Sequence, residues 1–159
     1  MKKLLFSLAA LCICTGAFAQ KGEKSVGLSF NYGTEIETLG FGLKFNYNLT
    51  DDVRMAPNFT FFLKKNYHTM WDVNLDFNYL FRVMPKFNIY PIAGLSLATI
   101  HRQKIGELPS DNLTKFGVNL GAGFEYDITR EWAVNLEMKY RIMSDIDQGV
   151  IGIGAIYRF

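Results

Sequence analysis

The sequence predicts an all-β chain folded as an eight-stranded antiparallel up-and-down transmembrane β-barrel. Three observations carry that expectation. From Ser25 onward, apolar and polar residues alternate with period two, the pattern of strands with two unlike faces. The apolar face is bulky, aromatic and free of charge, whereas the polar face is built largely from Gly, Ser, Ala and Asn. Four strand ends share an aromatic-x-aromatic ending.

Taken in order, the first run sets Val26, Leu28, Phe30 and Tyr32 against Ser25, Gly27, Ser29 and Asn31. The second sets Leu39, Phe41, Leu43, Phe45 and Tyr47 against Gly40, Gly42, Lys44 and Asn46. In the third, Val53, Met55, Phe59, Phe61 and Leu63 oppose Arg54, Ala56, Asn58, Thr60 and Lys64. Trp71, Val73, Leu75, Phe77, Tyr79 and Phe81 form the fourth, against Asp72, Asn74, Asp76 and Asn78. The fifth, Phe87 to about Thr99, alternates less regularly. The sixth resumes with Phe116, Val118, Leu120, Ala122, Phe124 and Tyr126 against Lys115, Gly117, Asn119, Gly121, Gly123 and Glu125. Trp132, Val134, Leu136, Met138 and Tyr140 make the seventh, opposed by Asn135, Glu137, Lys139 and Arg141. The eighth sets Ile151, Ile153, Ala155, Tyr157 and Phe159 against Gly152, Gly154 and Arg158.

Alternation alone also fits a soluble barrel with its apolar side inward. Composition separates the two. Small polar residues suit the cramped bore of a narrow barrel and would make a poor water-facing surface. Bulky uncharged residues suit lipid, and runs of about 9 to 11 residues cross a bilayer when tilted.

The strand ends give direction. Phe45-Asn46-Tyr47, Phe77-Asn78-Tyr79 and Phe124-Glu125-Tyr126 each precede a tight turn, and Tyr157-Arg158-Phe159 closes the chain. Such rings at one height make an interfacial girdle, so Phe45, Tyr47, Phe77, Tyr79, Phe124 and Tyr126 are assigned to it. Short turns over Asn48–Asp52, Arg82–Lys86 and Asp127–Glu131 mark the periplasmic side. Gly33–Thr38, Lys65–Met70, Ile100–Asn112 and Ile142–Gly149 are then the extracellular loops. Pro57 and Pro91 interrupt the third and fifth strands, and bulges or locally broken pairing are expected there because proline lacks an N–H.

Residues 1–19 read as a secretory signal: Lys2 and Lys3, an apolar run from Leu4 to Cys14, and Ala17-Phe18-Ala19 for cleavage. The apolar run is too short to span as a helix, so the barrel is expected over residues 20–159, exported to the outer membrane of a Gram-negative cell. Both cysteines, Cys12 and Cys14, lie in the signal, which leaves no disulfide framework and no thiol site. Without Lys2 and Lys3 the 17 basic residues fall to 15, equal to the 15 acidic ones, and a nucleic-acid partner has no electrostatic support.

An eight-stranded bore is just filled by side chains. The inward set holds Lys44, Arg54, Arg82, Lys139, Arg141 and Arg158, with Lys64 and Lys115, against Asp72, Asp76, Glu125 and Glu137. Paired, these charges make a salt-bridged plug; their surplus of cations defines the alternative, a narrow anion-preferring pore. No catalytic, cofactor or metal site is expected. His68 and His101 lie in separate expected loops and lack the His-x-Ser spacing of a lipid-modifying barrel enzyme, the third and least favoured reading. His101, Arg102 and Lys104 form a small basic cluster in the longest loop that could meet anionic lipopolysaccharide or a host surface.

The ending Ile151-Gly152-Ile153-Gly154-Ala155-Ile156-Tyr157-Arg158-Phe159 resembles the C-terminal β-signal read by barrel-assembly machinery. With Phe116 to Arg141, it makes the chain similar to the small outer-membrane β-barrel family, whose members are often labelled porin-family proteins. The resemblance implies recognition through Tyr157 and Phe159, escort by periplasmic chaperones, and a monomeric barrel surrounded by outer-membrane lipid and lipopolysaccharide. Its motifs encode fold and targeting and not activity; the leading reading of the role is a non-enzymatic barrel serving envelope structure, surface interaction or adhesion, with a narrow porin-like channel for small solutes or anions as the alternative. Because the chain stops at its last strand, no peptidoglycan-binding domain is expected.

Overall fold

The computed structural model describes residues 21–65, 68–102, 111–143 and 147–159. Eight staves form one closed sheet: β1 (Lys24–Gly33), β2 (Thr38–Asn48), β3 (Val53–Lys65), β4 (His68–Tyr79, continued past Leu80 by Phe81–Met84), β5 (Phe87–Arg102), β6 (Asp111–Asp127), β7 (Trp132–Met143) and β8 (Gln148–Arg158). Each pairs antiparallel with its neighbours in the chain, β4 pairs β5, and β1 closes on β8 from Ser25↔Arg158 to Gly33↔Val150. No edge is left to solvent along the spanning part, as a membrane requires.

The register fixes the shape. Followed once around from Lys24 through Tyr47, Met55, Phe77, Ala93, Leu120, Tyr140 and Gly149, the pairing returns to β1 at Thr34, ten residues along. With neighbouring strands about 4.8 Å apart, that stagger tilts the strands by about 40°. An 11-residue strand such as β2 then rises about 28 Å, close to the apolar band of an outer-membrane barrel.

Alternation turns the bulky face outward. Leu28, Phe30, Phe116 and Ile153 are 57 to 66% exposed, whereas Asn46, Arg54, Asp72, Asn119 and Glu125 are at most 1% exposed. An apolar surface this continuous is stable only against lipid. Cross-strand rings add local order, Phe30 packing edge-on against Phe41 at 5.3 Å.

Two of the turns share one design. In Leu49–Asp52, the Thr50 hydroxyl accepts the Val53 N–H at 2.9 Å; in Ile128–Glu131, the Thr129 hydroxyl accepts the Trp132 N–H at 3.0 Å. Both prolines keep the register while breaking the pairing on one side. At Pro57, β2 and β3 pair up to Lys44↔Asn58 and resume at Tyr47↔Met55. At Pro91, β5 stays paired to β6 through Pro91↔Ala122, while its ladder to β4 lapses between Asn78↔Ile92 and Phe81↔Ile89. That lapse divides β4 at Leu80. Register shifts occur elsewhere, between Phe62 and Lys65 and between Arg82 and Met84.

The fifth strand, expected to end near Thr99, extends to Arg102 and pairs with β6 over all 16 of its residues. Its weak alternation has a cause: Tyr90, Ile92 and Ala98 are buried apolar residues on the inner face. His68 and His101, expected in loops, stand in β4 and β5, where Thr69 pairs with His101 and His68 with Arg102. Two strands longer than the alternation indicated lift those residues into the sheet.

Candidate functional site

Among the described residues, the bore is where chemistry-bearing side chains converge. Three tiers of polar groups fill it, because every second residue of each strand must point there. At the turn end, Glu125 on β6 accepts from Arg54 Nη1 at 2.6 Å and Nη2 at 3.3 Å, and from Arg158 Nη2 at 2.5 Å. Arg158 also holds Asp127 at 2.5 Å, and its Nε lies 3.3 Å from Glu23. Arg54 Nε donates to Asn48 at 3.0 Å, so one guanidinium ties β2, β3 and β6 together.

The middle tier centres on two carboxylates. Glu137 on β7 accepts from the Lys44 ammonium, from the Tyr90 hydroxyl at 2.9 Å and from Asn135 at 3.2 Å. Asp76 on β4 is held by Lys139 at 3.1 Å and by the Asn58 and Asn119 amides, both at 2.9 Å. Above them, Arg141 lies 2.8 Å from Asp72, and its guanidinium reaches Asn74 and Asn119, each at 3.3 Å. Asn74 donates to Asp72 at 2.6 Å and to Asn58 at 3.0 Å, which joins this tier to the one below.

Glycine makes room for these heads. A Cβ at Gly94 would stand 2.3 Å from Asp76 Oδ1 and 2.6 Å from the Leu75 carbonyl, and one at Gly123 would stand 2.4 Å from the Tyr90 ring. At these two positions only a bare backbone lets the neighbouring strand's side chain cross the bore.

The loop end is filled differently. Phe62, Met70, Ala98, Met143 and Val150, from β3, β4, β5, β7 and β8, pack into a buried apolar layer against Ile36 and Ile100. A second apolar cluster, Leu80, Tyr90 and Ile92, lies inside the β4–β5 seam. Polar tiers thus stand beneath an apolar layer.

Of the charges expected inside, Lys44, Arg54, Asp72, Asp76, Glu125, Glu137, Lys139, Arg141 and Arg158 are buried there. Arg82 is not. It is exposed, and its Nη2 donates to the Asp51 carbonyl at 2.6 Å, because Phe81–Met84 is exposed throughout and has left the bore. Asp127, assigned by sequence to a turn, is buried and paired with Arg158. The buried charges among the described residues therefore number five cations and five carboxylates, without a cationic surplus. Missed altogether were the inward Phe62, Met70, Leu80, Tyr90, Ile92 and Met143. Phe62 carried a signal, since Phe61-Phe62-Leu63 cannot alternate without turning one ring inward.

The assigned girdle residues ring the outer face at the turn end. Phe77, Tyr79, Phe124 and Tyr126 are 38 to 48% exposed, Phe45 is 39% exposed and Tyr47 is half-buried. Other rings join them, with Tyr79 4.8 Å from Phe81, Phe87 6.0 Å from Phe124 and Trp132 5.0 Å from Tyr157. Tyr157 in turn stacks at 6.5 Å on Phe159. His101 and Arg102 end β5, but their side chains and all of Lys104 lie outside the described residues.

A closed barrel with an apolar exterior and an ion-paired interior matches one family over nearly its whole length. The model of the outer membrane protein beta-barrel domain covers residues 5–159. The chain belongs to that family. Among solved structures, the outer-membrane barrel is similar to the N-terminal β-barrel domain of Pseudomonas aeruginosa OprF, with a TM-score of 0.76 at 19% identity over 87% of this chain and 98% of that one. Ail, the attachment invasion locus protein of Yersinia pestis, aligns with a TM-score of 0.65 at 18% identity over 86% and 97%. Neisserial surface protein A aligns with a TM-score of 0.67 at 14% identity over 86% and 95%. At such identities the likeness carries the fold. None of the curated proteins compared with the outer-membrane barrel matches it.

Proposed function

We propose that this outer-membrane barrel is a non-enzymatic, non-conducting surface protein whose bore is closed by its own side chains and whose loop end serves surface interaction or envelope structure. The observation behind this reading is the filled bore: five buried cations and five buried carboxylates, cross-tied by Asn58, Asn74, Asn119 and Asn135. Opening a water path would break several buried pairs, at about 3–5 kcal/mol for each charge left uncompensated. Equal numbers of the two signs support the plug over a narrow anion-preferring pore.

Residues 1–19 serve as the export signal in this reading, Tyr157 and Phe159 are read by the assembly machinery, and the turn end faces the periplasm. Purified protein incorporated in a planar bilayer, and shown to be folded by heat-modifiable gel migration, is expected to give no stable unit currents. Steady anion-selective steps from that preparation would overturn the closed bore.

Surface interaction draws support from Ail, whose structure has been solved in complex with the heparin analogue sucrose octasulfate, a polyanion. On this chain the basic cluster that would meet a polyanion is His101, Arg102 and Lys104. Combined Arg102→Glu and Lys104→Glu substitution is expected to lower binding to lipopolysaccharide-coated surfaces at least tenfold, read by surface plasmon resonance. Unchanged binding would remove the cluster from the interaction.

A further inference from the structure

The outer face is not uniformly convex. Along the β4–β5 seam runs an apolar groove in two successive stretches. The lower, about 170 Å³, is lined by Phe77, Tyr79, Pro91 and Ala93; the upper, about 280 Å³, by Leu75, Leu95 and their neighbours. Sequence explains why it lies there. Pro91 lacks the N–H that would carry the ladder past Tyr79, and Pro91 and Ala93 put small side chains beside the large Phe77 and Tyr79 of β4.

Three features of this groove identify its occupant. Its lining is apolar and faces the hydrocarbon. From Tyr79 to Val73 it follows β4 for six residues, about 20 Å along the strand and about 15 Å along the membrane normal, half of a core about 30 Å thick. At its foot the hairpin after β4 and the β2–β3 turn meet, the Leu80 N–H donating to Asp52 O at 2.7 Å and Arg82 to Asp51 O at 2.6 Å. That junction carries both signs of charge, with exposed Arg82 against the turn of exposed Asp51 and Asp52, and exposed Lys86 at the tip of the same hairpin as Arg82.

From these we infer that the β4–β5 seam binds one zwitterionic phospholipid, an acyl chain lying in the groove, the phosphate at Arg82 and Lys86 and the ammonium at Asp51 and Asp52. A hydrocarbon chain of one leaflet has the length and polarity of the groove, and a phosphoethanolamine headgroup has the two charges of its foot. The site does not depend on whether the bore conducts or what the loops bind.

The test is lipid retention. Protein is reconstituted in nanodiscs of equal phosphatidylethanolamine and phosphatidylglycerol, extracted in mild detergent and weighed by native mass spectrometry. Wild type is expected to retain one phosphatidylethanolamine. Ala93→Phe fills the groove and should lower retention at least tenfold. Ala93→Leu, a smaller filler, should act in the same direction if the phenylalanine variant assembles poorly by gel migration. Ala155→Phe, outward on β8 and away from the seam, should retain lipid as wild type does. Asp51→Asn with Asp52→Asn, which removes the charges that face the ammonium, should abolish the preference between headgroups. Absence of retained lipid in wild type, equal retention by Ala93→Phe and Ala155→Phe, preference for phosphatidylglycerol, or a second copy of the chain in place of lipid would each overturn the site.

Discussion

Glu125 shows what a single residue does in this barrel. It is fully buried, pairs with two guanidiniums and joins β3, β6 and β8 through them. Glu125→Ala would leave Arg54 and Arg158 short of a counter-charge and is expected to destabilise the fold by about 3–5 kcal/mol, measured by urea unfolding in phospholipid vesicles. Arg82→Ala, at an exposed position, should change stability by no more than about 0.5 kcal/mol in the same assay. Both residues occupy a polar step of an alternating run, so alternation alone ranked them alike. What separates them is whether the barrel still encloses the position, and that depends on where β4 leaves the wall. Individual pairings were equally hidden: Lys44 with Glu137 and Arg54 with Glu125 join positions 93 and 71 residues apart, which only the stagger brings to one height.

At the scale of the element, Pro91 has the largest effect. It splits the ladder between β4 and β5, isolates Leu80, and yet leaves the register of β5 with β6 unbroken. Pro91→Val would supply the missing donor. The expected outcome is about 0.5–1.5 kcal/mol of added stability and slower amide hydrogen exchange between Tyr79 and Phe81. Unchanged exchange would mean that the lapse has another origin. The strands themselves were legible wherever large and small residues alternate, as in β2, β7 and β8. They were less legible in β5, where Tyr90 and Ile92 face the bore, and at the ends of β4 to β6, where the wall rises beyond the apolar band. A proline on one strand revealed a broken ladder in advance but not which neighbour would lose its bonds.

For the whole molecule, the proposed closure rests on what fills the eight-stranded wall. Two unlike layers stand in series in the bore, an apolar one at the loop end and an ion-paired column beneath it. Phe62→Ala removes the largest ring of the apolar layer and is expected to cost about 3–5 kcal/mol in urea unfolding. It should leave planar-bilayer conductance absent, because the column of Arg141, Asp72, Lys139 and Asp76 remains below. Unit currents from Phe62→Ala alone would mean that the apolar layer, and not the ion pairs, closes the barrel.

The sequence by itself determined the class of fold, the strand count, which face meets lipid and the polar part of what fills the bore, because these follow from a period of two and the volume of the side chains. Only the tertiary structure decided who pairs with whom, that the buried charges balance among the described residues, that Arg82 lies outside and that an apolar layer sits above the polar column. Those properties depend on the ten-residue stagger, which sets the height of every strand against its neighbours and is carried by no single strand.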